Sequence, residues 1–158
     1  MHKLFRYSLL LFTVFCVGQK KVLQTKFSNE KIVIDGKTDE VIWKNQPIAK
    51  DFITFEPDNG SVVAQNKRTE VKVIYDNDAI YIAAVLFDDE PTKILKEITQ
   101  RDDIGTSDFF GIFINGFNDG QQEFRFFVTA SNGQADCQAS DTDGDDFSWD
   151  AVWESKAI

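Results

Sequence analysis

The stretch TEVKVIYDNDAIYIAAVLFDDEP (69–91) decides the fold. Val71, Val73 and Tyr75 alternate with Lys72 and Ile74, the period of an antiparallel strand with one buried face. Asp76-Asn77-Asp78 is turn chemistry. Ile80 to Phe87 is apolar at both parities and reads as a central strand covered on both faces. Asp88-Asp89-Glu90-Pro91 then breaks the pattern.

Outward from this hairpin the same grammar repeats. Phe109 to Phe117 reads as a second strand apolar on both faces, and Asn118-Asp119-Gly120 as a hairpin turn. Phe124, Phe126 and Val128 alternate with Glu123, Arg125 and Thr129. Ser131-Asn132-Gly133 turns the chain again, and Gln134 to Ala139 returns. Upstream, Lys31 to Asp35 is a short apolar run closed by the Asp35-Gly36 turn signal. Thr38 is placed to cap a short helix carrying Val41, Ile42 and Trp43, and Thr92 to Ile98 suits a second helix of about two turns. Short strands at regular spacing with one or two short helices predict an all-β fold, a two-sheet antiparallel β-sandwich of immunoglobulin-like or jelly-roll type. Ala151 to Ile158 looks like the start of a further strand with nothing to pair with it, which suggests a sandwich truncated at its C-terminal end.

The 158 residues suffice for one domain. Aromatic residues make up 13%, fifteen of them Phe, which argues for a packed core. Lys and Arg number 17 against 26 Asp and Glu, a net charge of −9. Nucleic-acid affinity comes from cationic side chains neutralising phosphates, so such a chain makes a poor nucleic-acid partner.

Residues 1–18 read as a signal peptide. Lys3 and Arg6 precede the apolar run Tyr7 to Val17, too short for the roughly 20 residues that span a bilayer, and small residues follow at Cys16 and Gly18. Cleavage there predicts export, to the periplasm or the outer membrane surface of a Gram-negative bacterium. It leaves 15 basic residues against 26 acidic, and no histidine, since His2 is the only one. A mature chain without histidine holds no Ser-His-Asp triad and no histidine-ligated zinc. Its one remaining cysteine, Cys137, forms no internal disulfide and suits a small core position.

Four constellations carry chemistry. Asp141, Asp143, Asp145 and Asp146 either supply the oxygen density that calcium requires or form a solvated acidic surface loop; the spacing is not that of an EF-hand, because Gly144 falls at the fourth position of the loop and Val152 at the twelfth. Arg101, between carboxylates and ahead of Asp108, can form an ion-pair cluster or donate a fork of hydrogen bonds to a ligand. Trp149 and Trp153 lie four apart beside Asp150 and Glu154. In a strand they share a face, where they act as a sugar platform or as two anchors of the last strand. IDGKTDEVIW (34–43) with Trp43 reads as a turn, a helical turn and a core Trp.

With these residues laid out, the chain resembles the carbohydrate-binding family 9-like domain. It is most similar to the version that follows the signal peptide in large exported proteins, which continue into a long domain resembling an outer-membrane barrel. The matching pieces are IDGKTDEVIW (34–43), TEVKVIYDNDAIYIAAVLFDDEP (69–91), RDD (101–103), SDFFGIFINGFND (107–119) and WDAVWES (149–155). The resemblance implies an N-terminal extended segment at 19–30 and a β-sandwich over 31–158. It also implies a structural calcium ion and binding of glucan or xylan chain ends between aromatic rings. The candidate carbohydrate-binding residues are Trp149, Trp153, Arg101, Asp108 and Arg125, of which Asp108 and Arg125 match positions of the family pattern, and the candidate metal ligands are Asp141, Asp143, Asp145 and Asp146. The chain departs from the pattern at Gly105 and Gly111, where sugar-binding members carry a Trp and a Glu.

Three functions follow as expectations. The first is a non-catalytic module for a polysaccharide or oligosaccharide, within a larger protein of carbohydrate catabolism. The second is a structural domain docking on a membrane barrel in the same polypeptide. The third, less favoured, is part of a glycoside hydrolase acting on O-glycosyl bonds, for which Asp102, Asp103 and Asp108 are the nearest candidates to a carboxylate pair about 5–10 Å apart.

Overall fold

The computed structural model describes residues 21–158; the signal peptide read at 1–18 lies outside the described residues. The chain folds into two sheets with little helix, an all-β, sandwich-like architecture. The first sheet has three strands in the order β1 (Lys26–Phe27), β2 (Thr69–Tyr75), β3 (Ile80–Leu86). The second has four, β4 (Phe109–Ile114), β5 (Gln122–Thr129), β6 (Gln134–Ser140) and β7 (Gly144–Asp146), each antiparallel to its neighbour.

The β2–β3 hairpin forms where its sequence predicts, in register from Thr69 opposite Leu86 to Tyr75 opposite Ile80. Asp76 closes it. One carboxylate oxygen accepts the N–H groups of Asp78 and Ala79, each at 2.8 Å, and the other accepts the Tyr81 hydroxyl at 2.8 Å. Parallel to β2 runs β1, from the N-terminal extended segment, placing Phe27 opposite Tyr75.

Strand β3 is not central. It ends the order of its sheet among the described residues, and Ile80, Val85 and Leu86 are exposed. The same correction applies to β4, which flanks only β5, leaves Phe109 and Phe113 exposed, and ends at Ile114 instead of Phe117. Apolar character at both parities reports what a strand can bury, whereas neighbours decide what it does bury.

Two helical expectations change. Helix α1 is a single turn, Val41–Lys44, and Thr38 makes no cap; the preceding Glu40 instead accepts the Val33 N–H through its carboxylate at 3.1 Å. Trp43 on this turn is 3% exposed, a core residue as its motif suggests. Past Pro91 only a 3-10 turn, Pro91–Lys93, forms, and residues 94–100 continue without helix. The side chains there are used otherwise: Glu97 accepts the backbone N–H and the hydroxyl of Thr106.

Ile74 is fully buried, and Phe127, Ala135 and Cys137 form a cluster under Ile104 on the second sheet. Burial pushes the Cys137 thiol up, so it stays a protonated packing group. Truncating Ile74 to Ala is expected to cost about 2–5 kcal/mol in chemical denaturation, because the hole is walled by a paired sheet that collapses only in part.

Turn carboxylates set the acid stability. Asp76 and Asp119 are held below the ordinary aspartate range chiefly by the backbone N–H groups they accept, and Asp146 by the Ser148 hydroxyl and N–H. A carboxylate with a depressed folded pKa contributes stability above its unfolded pKa and loses it as pH falls through the folded value. Melting temperature is therefore expected to vary little with these groups above about pH 5 and to drop below about pH 4; no such drop in an acid series would contradict the assignment.

Candidate functional site

Strand β6 alternates Ala135, Cys137 and Ala139 with Gln134, Asp136, Gln138 and Ser140, and the structure buries one member of the polar parity. Asp136 faces the same side as its partner Phe126 on β5 and is completely buried. A buried carboxylate is tolerated only when hydrogen-bonded and paired, and three donors meet it. One oxygen accepts the Trp153 indole N–H at 3.0 Å and an Arg101 guanidinium N–H; the other accepts the Ala151 amide at 2.6 Å. The Asp136 amide in turn donates to Asp102 at 3.0 Å.

Arg101 is spread over the same group. Its Nε donates to Asp150 at 3.1 Å, Nη1 to Gln134 at 3.3 Å, and Nη2 also to the Ala151 carbonyl at 3.2 Å. The hydrogen bond to Asp150 leads in holding its pKa above the ordinary value, with the charges of Asp136 and Asp102 adding to it against desolvation. Asp102 adopts a left-handed φ of 65° and donates its amide to the Gln134 carbonyl at 3.0 Å, bringing the arginine loop back onto β6.

The C-terminal segment is lashed to the sheet by this cluster. Trp149 stacks on Phe124 with centroids 4.8 Å apart and planes at 31°, and Trp153 meets Phe126 edge-on at 5.3 Å. Further along, Ser155 accepts from Gln134 and the Ala157 amide donates to Asn132. Residues 151–158 alternate between half-buried and exposed as a strand would, without forming a strand ladder. Trp149 and Trp153 therefore share a face, as expected, and each stays half-buried.

The structure gathers Trp149, Trp153 and Arg101 and leaves two of the expected carbohydrate ligands elsewhere. Arg125 lies on the opposite face of β5, donating to Glu123 and Asp145 at 2.7 and 2.8 Å, with its guanidinium 4.7 Å over Phe113. Asp108 is turned to the chain at Leu95, whose amide it accepts at 3.2 Å. The carboxylates weighed for hydrolysis are also engaged: Asp103 accepts the Gly105 amide at 2.9 Å, and Asp102 the Asp136 amide.

Gly105 and Gly111, where the expected carbohydrate-binding pattern calls for larger side chains, have local reasons. Gly105 has a φ of +52°, and a Cβ there would lie 2.5 Å from the Glu97 carboxylate. At Gly111 a Cβ would come 3.1 Å from the Phe127 ring, which packs over the bare backbone. Trp or Glu at these positions would require the chain around them to move.

The acidic loop does not converge. Gly144–Asp146 pairs with β6 as β7, so Asp145 and Asp146 point to opposite faces. Asp145 accepts from Arg125, Asp146 from Ser148, and Asp143 from Thr142 and Ser140, while Asp141 is exposed. These commitments do not suit a shared calcium ion. Among the described residues, the acidic groups whose oxygens lie within 4.8 Å of one another are Asp102, Asp136 and Asp150, and Arg101 already supplies their positive charge.

Asp136 and Gln134 have no counterpart in the sequence reading. The sequence pattern hides this site, because Asp136 shares the polar parity of Gln134, Gln138 and Ser140 and reads as a solvent-facing residue; only the register opposite Phe126 places it under cover. Replacing Asp136 with Ala strands three donors in a dry site and is expected to cost about 3 kcal/mol or more. Arg101→Met is expected to destabilise as well, since it leaves the buried carboxylate without its cation, and the double variant is expected to lose less than the two single losses combined, measured by a denaturation cycle.

Comparison of the chain with family models, curated proteins and solved structures returned no match.

Proposed function

We propose that this chain is a non-catalytic carbohydrate-binding module, exported as part of a larger protein, in keeping with its resemblance to the carbohydrate-binding family 9-like domain. The observation that carries this reading is the edge where Trp149, Asp150 and Arg101 meet. The indole is stacked on Phe124 and still partly exposed, the Asp150 carboxylate is 66% exposed, and the Arg101 guanidinium reaches 39%. A pyranose presents CH groups to an aromatic ring and hydroxyls to a carboxylate beside it, so Trp149 and Asp150, the latter held in place by Arg101, have both parts of the required chemistry. Trp153 serves the same edge indirectly, because its N–H is spent on Asp136.

Binding fits the carboxylates better than hydrolysis does. The nearest candidates for a hydrolytic carboxylate pair, Asp102, Asp103 and Asp108, each accept a backbone amide of the chain itself, from Asp136, Gly105 and Leu95.

A second reading, a domain docking on a membrane barrel, is favoured by the apolar side chains that the second sheet leaves open, Phe109 at 47% and Phe113 at 55% exposure, with Phe117 at 77% in the following loop. Titration with cellohexaose and xylohexaose, followed by tryptophan emission, tests the choice. Sugar binding predicts a saturable change that is weakened about tenfold or more in Trp149→Ala. No change at millimolar sugar would move the assignment to docking, and released reducing ends would overturn the non-catalytic reading.

A further inference from the structure

Two open cavities, of about 430 and 260 Å³, lie on either side of the β2–β3 turn, away from the Trp149 edge. Register across the three-stranded sheet builds the apolar part. Phe27 stands opposite Tyr75 and Tyr75 opposite Ile80, so all three side chains share one face at the turn end. The Phe27 and Tyr75 rings meet edge to face at 5.6 Å and 78°, and remain 41% and 40% exposed.

The polar part divides into spent and unspent groups. Asp76 uses both oxygens to close the turn, and Thr25 donates to the Val73 carbonyl. Asn77 and the Asp78 carboxylate, which line both cavities, make no side-chain hydrogen bond or ion pair among the described residues, and neither does the hydroxyl of Tyr75, which lines the larger one. At the Trp149 edge, by contrast, all three guanidinium nitrogens of Arg101 donate to the chain itself. Exposed rings beside donors and acceptors that nothing else satisfies are what a neutral polyhydroxylated ligand needs.

We infer that the β2–β3 turn forms a second sugar contact, in which a pyranose lies on the Tyr75 ring while Asn77 and Asp78 hydrogen-bond its hydroxyls. The inference rests on the carbohydrate reading above and adds a place that the reading does not use. The acidic balance of the chain, −9, and the two aspartates of the larger cavity, Asp76 and Asp78, disfavour an anionic ligand.

Calorimetric titration of the full chain with cellohexaose and xylohexaose tests it, with Tyr75→Ala, Tyr75→Phe, Asn77→Ala and Trp149→Ala compared after circular dichroism confirms their folds. Tyr75→Ala is expected to lose about tenfold or more in affinity or to remove one of two binding steps, Tyr75→Phe to stay within about threefold, and Asn77→Ala to fall between them. If the wild type binds and neither Tyr75→Ala nor Asn77→Ala changes the isotherm, this contact is wrong while the module reading stands. If the wild type binds no sugar, the module reading fails and this contact with it. Displacement of bound sugar from this face by an oligolysine peptide, reversed by about 0.5 M salt, would instead identify a cationic peptide groove and overturn the sugar assignment.

Discussion

One buried carboxylate organises the second half of this molecule. Asp136 is a charge placed where the sheet offers no water, and such a charge persists only if the chain delivers donors to it. Three arrive from two separate stretches, Arg101 from the loop before β4 and Ala151 and Trp153 from the C-terminal segment. Satisfying Asp136 therefore holds three parts of the chain together: β6, the 101–103 loop, and the stretch that carries both late tryptophans.

The consequence reaches the loop at Gly36. The C-terminal segment, once held by Asp136, Gln134 and Asn132, runs on until Lys156 and Ile158 lie against Gly36, whose φ of +85° and absent Cβ make room for them. Glu154 on the same segment adds its charge to the raising of the Tyr81 phenol on β3, an effect led by the hydrogen bond to Asp76. The segment thus ties β6 to the loop at Gly36 through side chains, without a ladder of its own.

For recognition, what matters is which polar groups remain free after folding. Arg101 looks in sequence like a ligand-binding fork, yet its donors are taken by three acidic or amide side chains and a carbonyl. Arg125 is taken by Glu123 and Asp145. The acidic loop is similar, since pairing as β7 turns neighbouring carboxylates to opposite faces. Density of functional groups along a chain is a poor guide to their availability, because each is equally able to satisfy a neighbour.

Period-2 alternation and turn chemistry by themselves determined the strands of both hairpins, the Asp76 turn and the core placement of Trp43 and Cys137. These are legible because they depend on residues close in sequence, whose side-chain directions the backbone imposes. Only the tertiary structure decided that β3 and β4 stand at the ends of their sheets, that Arg125 and Trp149 lie on opposite sides, and that Asp136 is the hub. Those outcomes are set by which strands become neighbours and by pairs such as Arg101 with Asp136 or Arg101 with Asp150, 35 and 49 residues apart. No local pattern encodes such a pairing; it exists only once the sheet has brought the partners within hydrogen-bonding distance.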